Sequence, residues 1–140
     1  MTNDRGETEA SNRQIVQAAF DAWKAGTGSV FDLLADDAKW AIVGNSPVSR
    51  VFGSRKEFLD EAVTPFNARL ASRLVPTVRA IYADGDVVIV LWDGAGTARD
   101  GQPYQNSYAW FLQMRDGRIA SAIAFFDTTE FNDLWGRITP

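Results

Sequence analysis

The chain has 140 residues and a formal net charge of −4, with neither cysteine nor histidine. Its length suits one domain that buries a core without disulfide staples, and its acidity argues against a nucleic-acid partner, which calls for a basic patch. Without thiols and imidazoles, zinc–cysteine sites, Ser–His and Cys–His triads and ordinary zinc catalysis are excluded; any catalysis falls to Asp, Glu, Tyr, Lys or Arg.

Met1 to Ala10 is polar, charged and without periodicity, the composition of a disordered lead, with the single domain expected over residues 11–140. Ser11 or Asn12 caps a helix to about Ala25, with an apolar face of Ile15, Ala18, Ala19, Ala22 and Trp23, and Gly26 and Gly28 stop it. Ser29 starts a short second helix, Val30 to Leu34. Asp36-Asp37 turns the chain into a strand, Ala38 to Val43, followed by a loop at Gly44 to Pro47 and a short strand, Val48 to Phe52. Ser54, with Glu57 three residues on, opens a helix of about fifteen residues whose stripe is Phe58, Leu59, Ala62, Phe66 and Leu70. Pro65 is expected to kink or break it near Val63–Thr64. No apolar run approaches the ~18 residues of a membrane span, and the N-terminus lacks a signal-peptide core, so a cytoplasmic protein with no membrane partner is expected.

Three Asp-Gly pairs, Asp84-Gly85, Asp100-Gly101 and Asp116-Gly117, are flanked by runs rich in Val, Ile, Tyr, Phe and Trp. Asp-Gly between such runs marks a tight hairpin, because both central residues of a type I′ turn need positive φ. Pro76 to Asp127 therefore reads as four antiparallel strands, and Thr128 to Trp135 as a terminal turn of helix. Helices first and a long antiparallel sheet second is an α+β order, with helices covering one face of the sheet.

Two-residue loops fix the register: Asp93 faces Tyr108, Leu91 faces Trp110, Asn106 faces Asp127 and Tyr108 faces Phe125. One face then collects Tyr82, Asp93, Tyr104, Asn106, Tyr108, Trp110, Phe125 and Asp127. An apolar floor with aromatic walls, two carboxylates, phenols and an amide has the makeup of a small-molecule site. The other face holds Trp92, Phe111, Phe126 and the small residues Ala109, Ala120, Ala122 and Ala124, and the helices cannot cover it as well. A homodimer through that outer face is expected.

The helix with Phe20 and Trp23, the segment from Trp40 to Ser49 followed by Phe52-Gly-Ser-Arg, the strand Tyr104-Gln-Asn-Ser-Tyr-Ala-Trp-Phe, and Arg115-Asp-Gly-Arg-Ile with Ala124-Phe-Phe-Asp together resemble the NTF2-like superfamily of SnoaL-like and ketosteroid-isomerase-like proteins. The resemblance implies a cone: a curved, mostly antiparallel sheet with N-terminal helices on its concave face. It also implies a pocket that hosts isomerases, polyketide cyclases, epoxide hydrolases or plain binding modules. Asp127 matches the aspartate that acts near the end of the last strand in the cyclases and epoxide hydrolases. The cyclases' histidine is missing, the strand Asp93 to Arg99 does not reproduce the hydrolases' Asp-Arg-Asp set, and Ala41 to Asn45 lacks the ketosteroid isomerases' acid.

Two functions fit these residues. The first is acid–base chemistry without cofactor or metal on a small, mostly apolar, oxygenated molecule: isomerisation, cyclisation or epoxide hydrolysis. Asp127 is then the acid or base, Asp93 a second carboxylate and Tyr108 a hydrogen-bond donor, with Asn106, Tyr104, Trp110, Trp40, Phe125 and Tyr82 binding the substrate. The alternative is a non-catalytic ligand-binding or dimerisation module in which Asp127 is a helix cap, Asp93 a rim acid, and Tyr108 with Asn106 a buried supporting pair. An enzyme site should expose at least one carboxylate to a cavity; a structural network exposes none.

Overall fold

A computed structural model describes residues 4–140. Helix α1 (Asp4–Ala25) begins well before the expected cap, so residues 4–10 of the expected disordered lead are helical. The cause is tertiary and invisible to composition. Arg5 pairs with Asp84, and the Glu9 carboxylate accepts from the Gly85 amide at 2.7 Å, which docks the first turns on a β-turn far away in sequence. Met1 to Asn3 lie outside the described residues. Gly26, at φ +80°, ends the helix. Arg73 then donates to the carbonyls of Trp23 (2.6 Å) and Lys24 (2.9 Å) at that end.

A 3₁₀ turn, Val30–Leu33, is capped by Ser29 with Asp32 reaching back. It leads into β1 (Leu34–Ile42), which pairs with the two-residue β2 (Val51–Phe52). Ser54 caps α2 (Arg55–Phe58), accepting from the Glu57 amide at 3.1 Å. Just ahead of Pro65, where a kink or break is expected, α-helical geometry is interrupted without the chain leaving the helix. The chain passes through a π turn, Leu59–Val63, into α3 (Thr64–Asn67). Proline has no amide hydrogen and clashes with the carbonyl four residues back. The wider π turn, closed by the Thr64 amide on the Leu59 carbonyl, lets the helix run on past it.

Strands β3 (Val75–Asp84), β4 (Val87–Thr97), β5 (Pro103–Arg115) and β6 (Arg118–Phe126) form the expected meander, and α4 (Thr128–Arg137) closes the chain. The result is a curved six-stranded sheet in the order β2-β1-β6-β5-β4-β3, antiparallel except where β1 runs parallel to β6. This is an α+β cone of the NTF2-like kind. Val16 and Phe20 of α1, Phe58 of α2, Ala62 of the π turn and Phe66 of α3 fill its inner face against Val88, Val90, Trp92, Trp110 and Leu112.

The register differs from the expected one in all three hairpins. In the first, Gly85 and Asp86 are the central residues, because Asp84 pairs with Val87. An irregularity at Arg79 then shifts the pairing, so that Val78 faces Trp92. The middle connection is a five-residue loop, residues 98–102, in which the Asp100 carboxylate accepts from the Gln102 amide at 3.0 Å. Asp93 consequently pairs with Ser107, and Trp92 with Tyr108. The last turn is as expected, with positive φ at Asp116 (53°) and Gly117 (76°), but a bulge at Ala120 shifts the pairing beyond it, and Tyr108 faces Phe126. A one-residue slip moves every later side chain to the opposite face. Trp92 and Phe126 therefore turn inward, Asp93 and Phe125 outward, and Ala122 and Ala124 leave the outer face for the core.

Candidate functional site

The inward slip brings aromatic rings from both ends of the chain around one cavity of about 80 Å³. Strand β1 supplies Trp40 and Ile42, β4 Trp92, β5 Tyr108 and Trp110, and β6 Ala124 and Phe126. The helices add Trp23, Phe58, Phe66 and Phe131. The rings hold one another: Trp40 stacks on Phe58 at 4.4 Å and meets Trp110 edge-on at 4.9 Å, while Trp92 stacks on Tyr108 at 4.0 Å. Such offset and edge-on contacts are the favoured aromatic geometries. Trp23, Phe31, Asn67 and Leu74 also border an outer depression of about 340 Å³ lined by Ser29, Ser72 and Arg73.

Behind the wall runs a buried polar chain. The Asn106 amide donates to the Tyr104 hydroxyl (2.8 Å), and the Tyr104 and Tyr108 hydroxyls share a hydrogen bond of 2.8 Å. Asn106 also donates to the Asp127 carbonyl and accepts from the Asp127 amide, both at 3.0 Å, and accepts from the Ser107 amide at 2.8 Å. One buried side chain thus fixes the tyrosine pair and the start of α4 together. Burial raises the pKa of Tyr104 and pushes that of Tyr108 well above the ordinary phenol value. Both therefore remain neutral hydroxyls, and either can donate in the bond they share.

Of the expected site residues, Tyr108, Trp110 and Trp40 line the cavity. Tyr104 and Asn106 are buried behind them. The remainder lie elsewhere. Asp127 is exposed, and its carboxylate accepts from the Thr129 amide at 3.0 Å as the N-cap of α4. Asp93 is on the outer face, held by Arg79 at 2.7 Å and the Ser107 hydroxyl at 2.8 Å. The Ser107 hydrogen bond and then the Arg79 guanidinium hold its carboxyl below the usual aspartate range, the opposite of the upward shift that suits a proton carrier near neutral pH. Phe125 and Tyr82 are 44% and 56% exposed on that face. The two aspartates border a separate solvent-facing depression with Arg79 and Glu130. No carboxylate lines the aromatic cavity among the described residues, and no acidic cluster suited to a metal ion occurs among them.

Sequence reasoning missed Trp92 and Phe126, assigned to the partner face, and did not join Trp23, Phe58 and Phe66 to the site. A signal was present: placing Trp92 beside Tyr108 and Trp110 puts the largest rings of β4 and β5 on one face, where a shared core wants them.

Residues 16–122 match the SnoaL-like domain family. No curated protein sequence matches the chain. Among solved structures the chain is similar to Bal32a from a soil-derived mobile gene cassette (16% identity, 91% of this chain and 98% of that one, TM-score 0.75). It is also similar to a Catenulispora acidiphila protein with a ketosteroid isomerase-like fold, in complex with trimethylamine (19%, 91% and 98%, TM-score 0.67). A third is TerC co-crystallised with polyporic acid (17%, 90% and 98%, TM-score 0.71). At these identities the likeness concerns the fold.

Proposed function

Since the chain belongs to the SnoaL-like domain family, we propose that it holds a small, mostly apolar, oxygen-bearing molecule in the aromatic cavity of its cone. The observation that carries this is the chemistry of the wall. Aromatic and aliphatic side chains surround the space, Tyr108 and Asn67 are the lining residues with polar atoms beside the tryptophan indoles, and no charged residue lines it among the described residues. Concave apolar sites with a few polar groups are where small molecules bind. TerC and the Catenulispora acidiphila protein are each described with a small molecule.

Size narrows the ligand. An engineered apolar cavity of ~150 Å³ takes benzene, and this one has about 80 Å³. A single ring therefore fits with a shift of the lining residues, and anything longer has to displace the Trp23, Phe31, Asn67 and Leu74 side chains shared with the outer depression. Acid–base turnover by Asp93 and Asp127 is the weaker reading, because neither carboxylate borders the cavity. A tryptophan-fluorescence titration with acetophenone separates the two. Equal affinity in wild type and in a variant carrying Asp93→Asn and Asp127→Asn supports the cavity; a tenfold loss in the variant sinks it.

The expected homodimer stays a proposal on altered residues. The outer face presents Ile123 (48% exposed) and Phe125 (44%) beside Phe111 and Ala109, not the row of alanines. Contiguous exposed apolar side chains mark interaction surfaces, and a second copy meeting the same face would cover them. Light scattering should show a dimer at micromolar concentration that Phe125→Lys converts to monomer; a wild-type monomer contradicts the proposal.

A further inference from the structure

A depression of about 610 Å³ lies between the start of α1 and the turns that join β3 to β4 and β5 to β6. Asn12 and Met114, 8% and 4% exposed, form its buried part. Asn12 has no task inside the protein. It sits in the interior of α1, not at the expected cap, where asparagine is a poor helix former. Its side-chain amide makes no hydrogen bond with any described residue, although buried polar side chains are nearly always bonded. Among those residues only Trp92 Nε1 is both unpartnered and without accessible surface. The Asn12 amide oxygen and nitrogen, equally unpartnered, therefore keep surface of their own, in a side chain that lines this depression. Asp4, Glu7, Asp86 and Asp116 share it, and none of the four has an ion-pair partner among the described residues. Arg115, the one cation among the lining residues, pairs with Asp37 at 3.0 Å, and Arg5 nearby is taken by Glu9 and Asp84. A cleft lined by one sign of charge focuses its field on a counter-ion.

We propose that this depression binds a small aliphatic diammonium or polyammonium ion, one N–H of which donates to the Asn12 amide oxygen while the carboxylates share its charge. The occupant needs N–H donors because an amide oxygen only accepts. It needs more than one charge, spaced along a chain, because the acids are spread out. No three of them are grouped to hold a metal ion, and Asp4 stands eight residues from Asn12 along α1, about 12 Å. The site shares no lining residue with the aromatic cavity and goes beyond the function proposed above.

The test titrates two dications of equal charge into the ¹⁵N-labelled full chain: 1,4-diaminobutane and its bis(trimethylammonium) analogue, which has no N–H. 1,4-Diaminobutane should bind saturably and shift the side-chain NH₂ resonances of Asn12, which Asn12→Ala identifies by their loss. It should bind about tenfold tighter than the analogue, the worth of one hydrogen bond to a charged group. Asn12→Ala should erase that gap. Asp86→Asn/Asp116→Asn, which keeps a residue tolerant of positive φ at position 116, should weaken both dications. Asp93→Asn/Asp127→Asn removes the same formal charge from a different depression and should weaken neither. Equal binding of the two dications, or a loss that follows the charge wherever it is removed, means diffuse attraction to an acidic surface and overturns the proposal. Asn12 resonances that stay in place overturn it too. Should Asn12→Ala not fold, the wild-type Asn12 resonances, assigned through the backbone, decide alone. The aromatic cavity stands or falls separately, on the acetophenone titration.

Discussion

Ala124→Leu should make this protein more stable and less able to bind. Ala124 is 2% exposed, lies on β6 opposite Trp110, and lines the cavity. Leucine adds an isopropyl group pointing into it. The cavity measures about 80 Å³, and an unfilled core cavity costs about 24 cal/mol per Å³. Filling it completely is thus worth about 2 kcal/mol. Ordering the leucine side chain returns roughly 0.5–1 kcal/mol. A net gain of about 1 kcal/mol remains, a rise in melting temperature of roughly 3–5 °C for a domain of this size. Calorimetry reads the stability, and an acetophenone titration reads the binding, which should fall at least about tenfold if the ligand occupies this space. The reasoning is refuted by a variant that loses 1–3 kcal/mol, the range for overpacking, while binding acetophenone as well as wild type does. That result would mean the space is neither open nor used.

Other perturbations test the polar support. Asn106→Leu strands the amides of Ser107 and Asp127, the Asp127 carbonyl and one bond of Tyr104. Part of this set is reachable by water, so the loss should be roughly 2–4 kcal/mol by urea unfolding. A loss under about 0.5 kcal/mol would deny Asn106 its organising place. Asp127→Ala removes the α4 cap and should cost about 1 kcal/mol while leaving acetophenone affinity unchanged; a binding loss without a stability loss would restore the carboxylate to the site. For Tyr104 and Tyr108, folding raises the pKa above the ordinary value of 10.0. The unfolded chain therefore gives up these protons first, so their contribution is complete below that pH and falls as pH climbs toward the folded pKa values. The double variant Tyr104→Phe/Tyr108→Phe should flatten the alkaline arm of the stability curve, and an unchanged arm contradicts the burial argument.

Much of the architecture was readable in the sequence. The three turns, the Ser29 and Ser54 caps and the α+β order all came from local signals, whose physics acts within a few residues. What failed was parity. The middle loop is longer than the Asp100-Gly101 pair alone predicts, and Arg79 and Ala120 interrupt the ladder. Because strand side chains alternate, each slip exchanged faces. Asp93 left the site and Trp92 entered it, although both were correctly placed on the same strand. Asp127 shows a different limit. Its position at the end of the last strand fits an active-site acid and a helix cap equally well, and only the Thr129 amide at 3.0 Å separates them. The early helical turns of α1 depend on partners at Asp84 and Gly85, which no local pattern reports.

The central claim is that the space among Trp40, Phe58, Tyr108 and Trp110 is where a ligand sits. Crystals grown with bromobenzene test it directly, because bromine scatters anomalously and marks its own position. The account predicts one strong anomalous peak inside the cone, within contact distance of those rings. A peak on the outer face beside Phe111 and Phe125, with the cone interior empty, would contradict it.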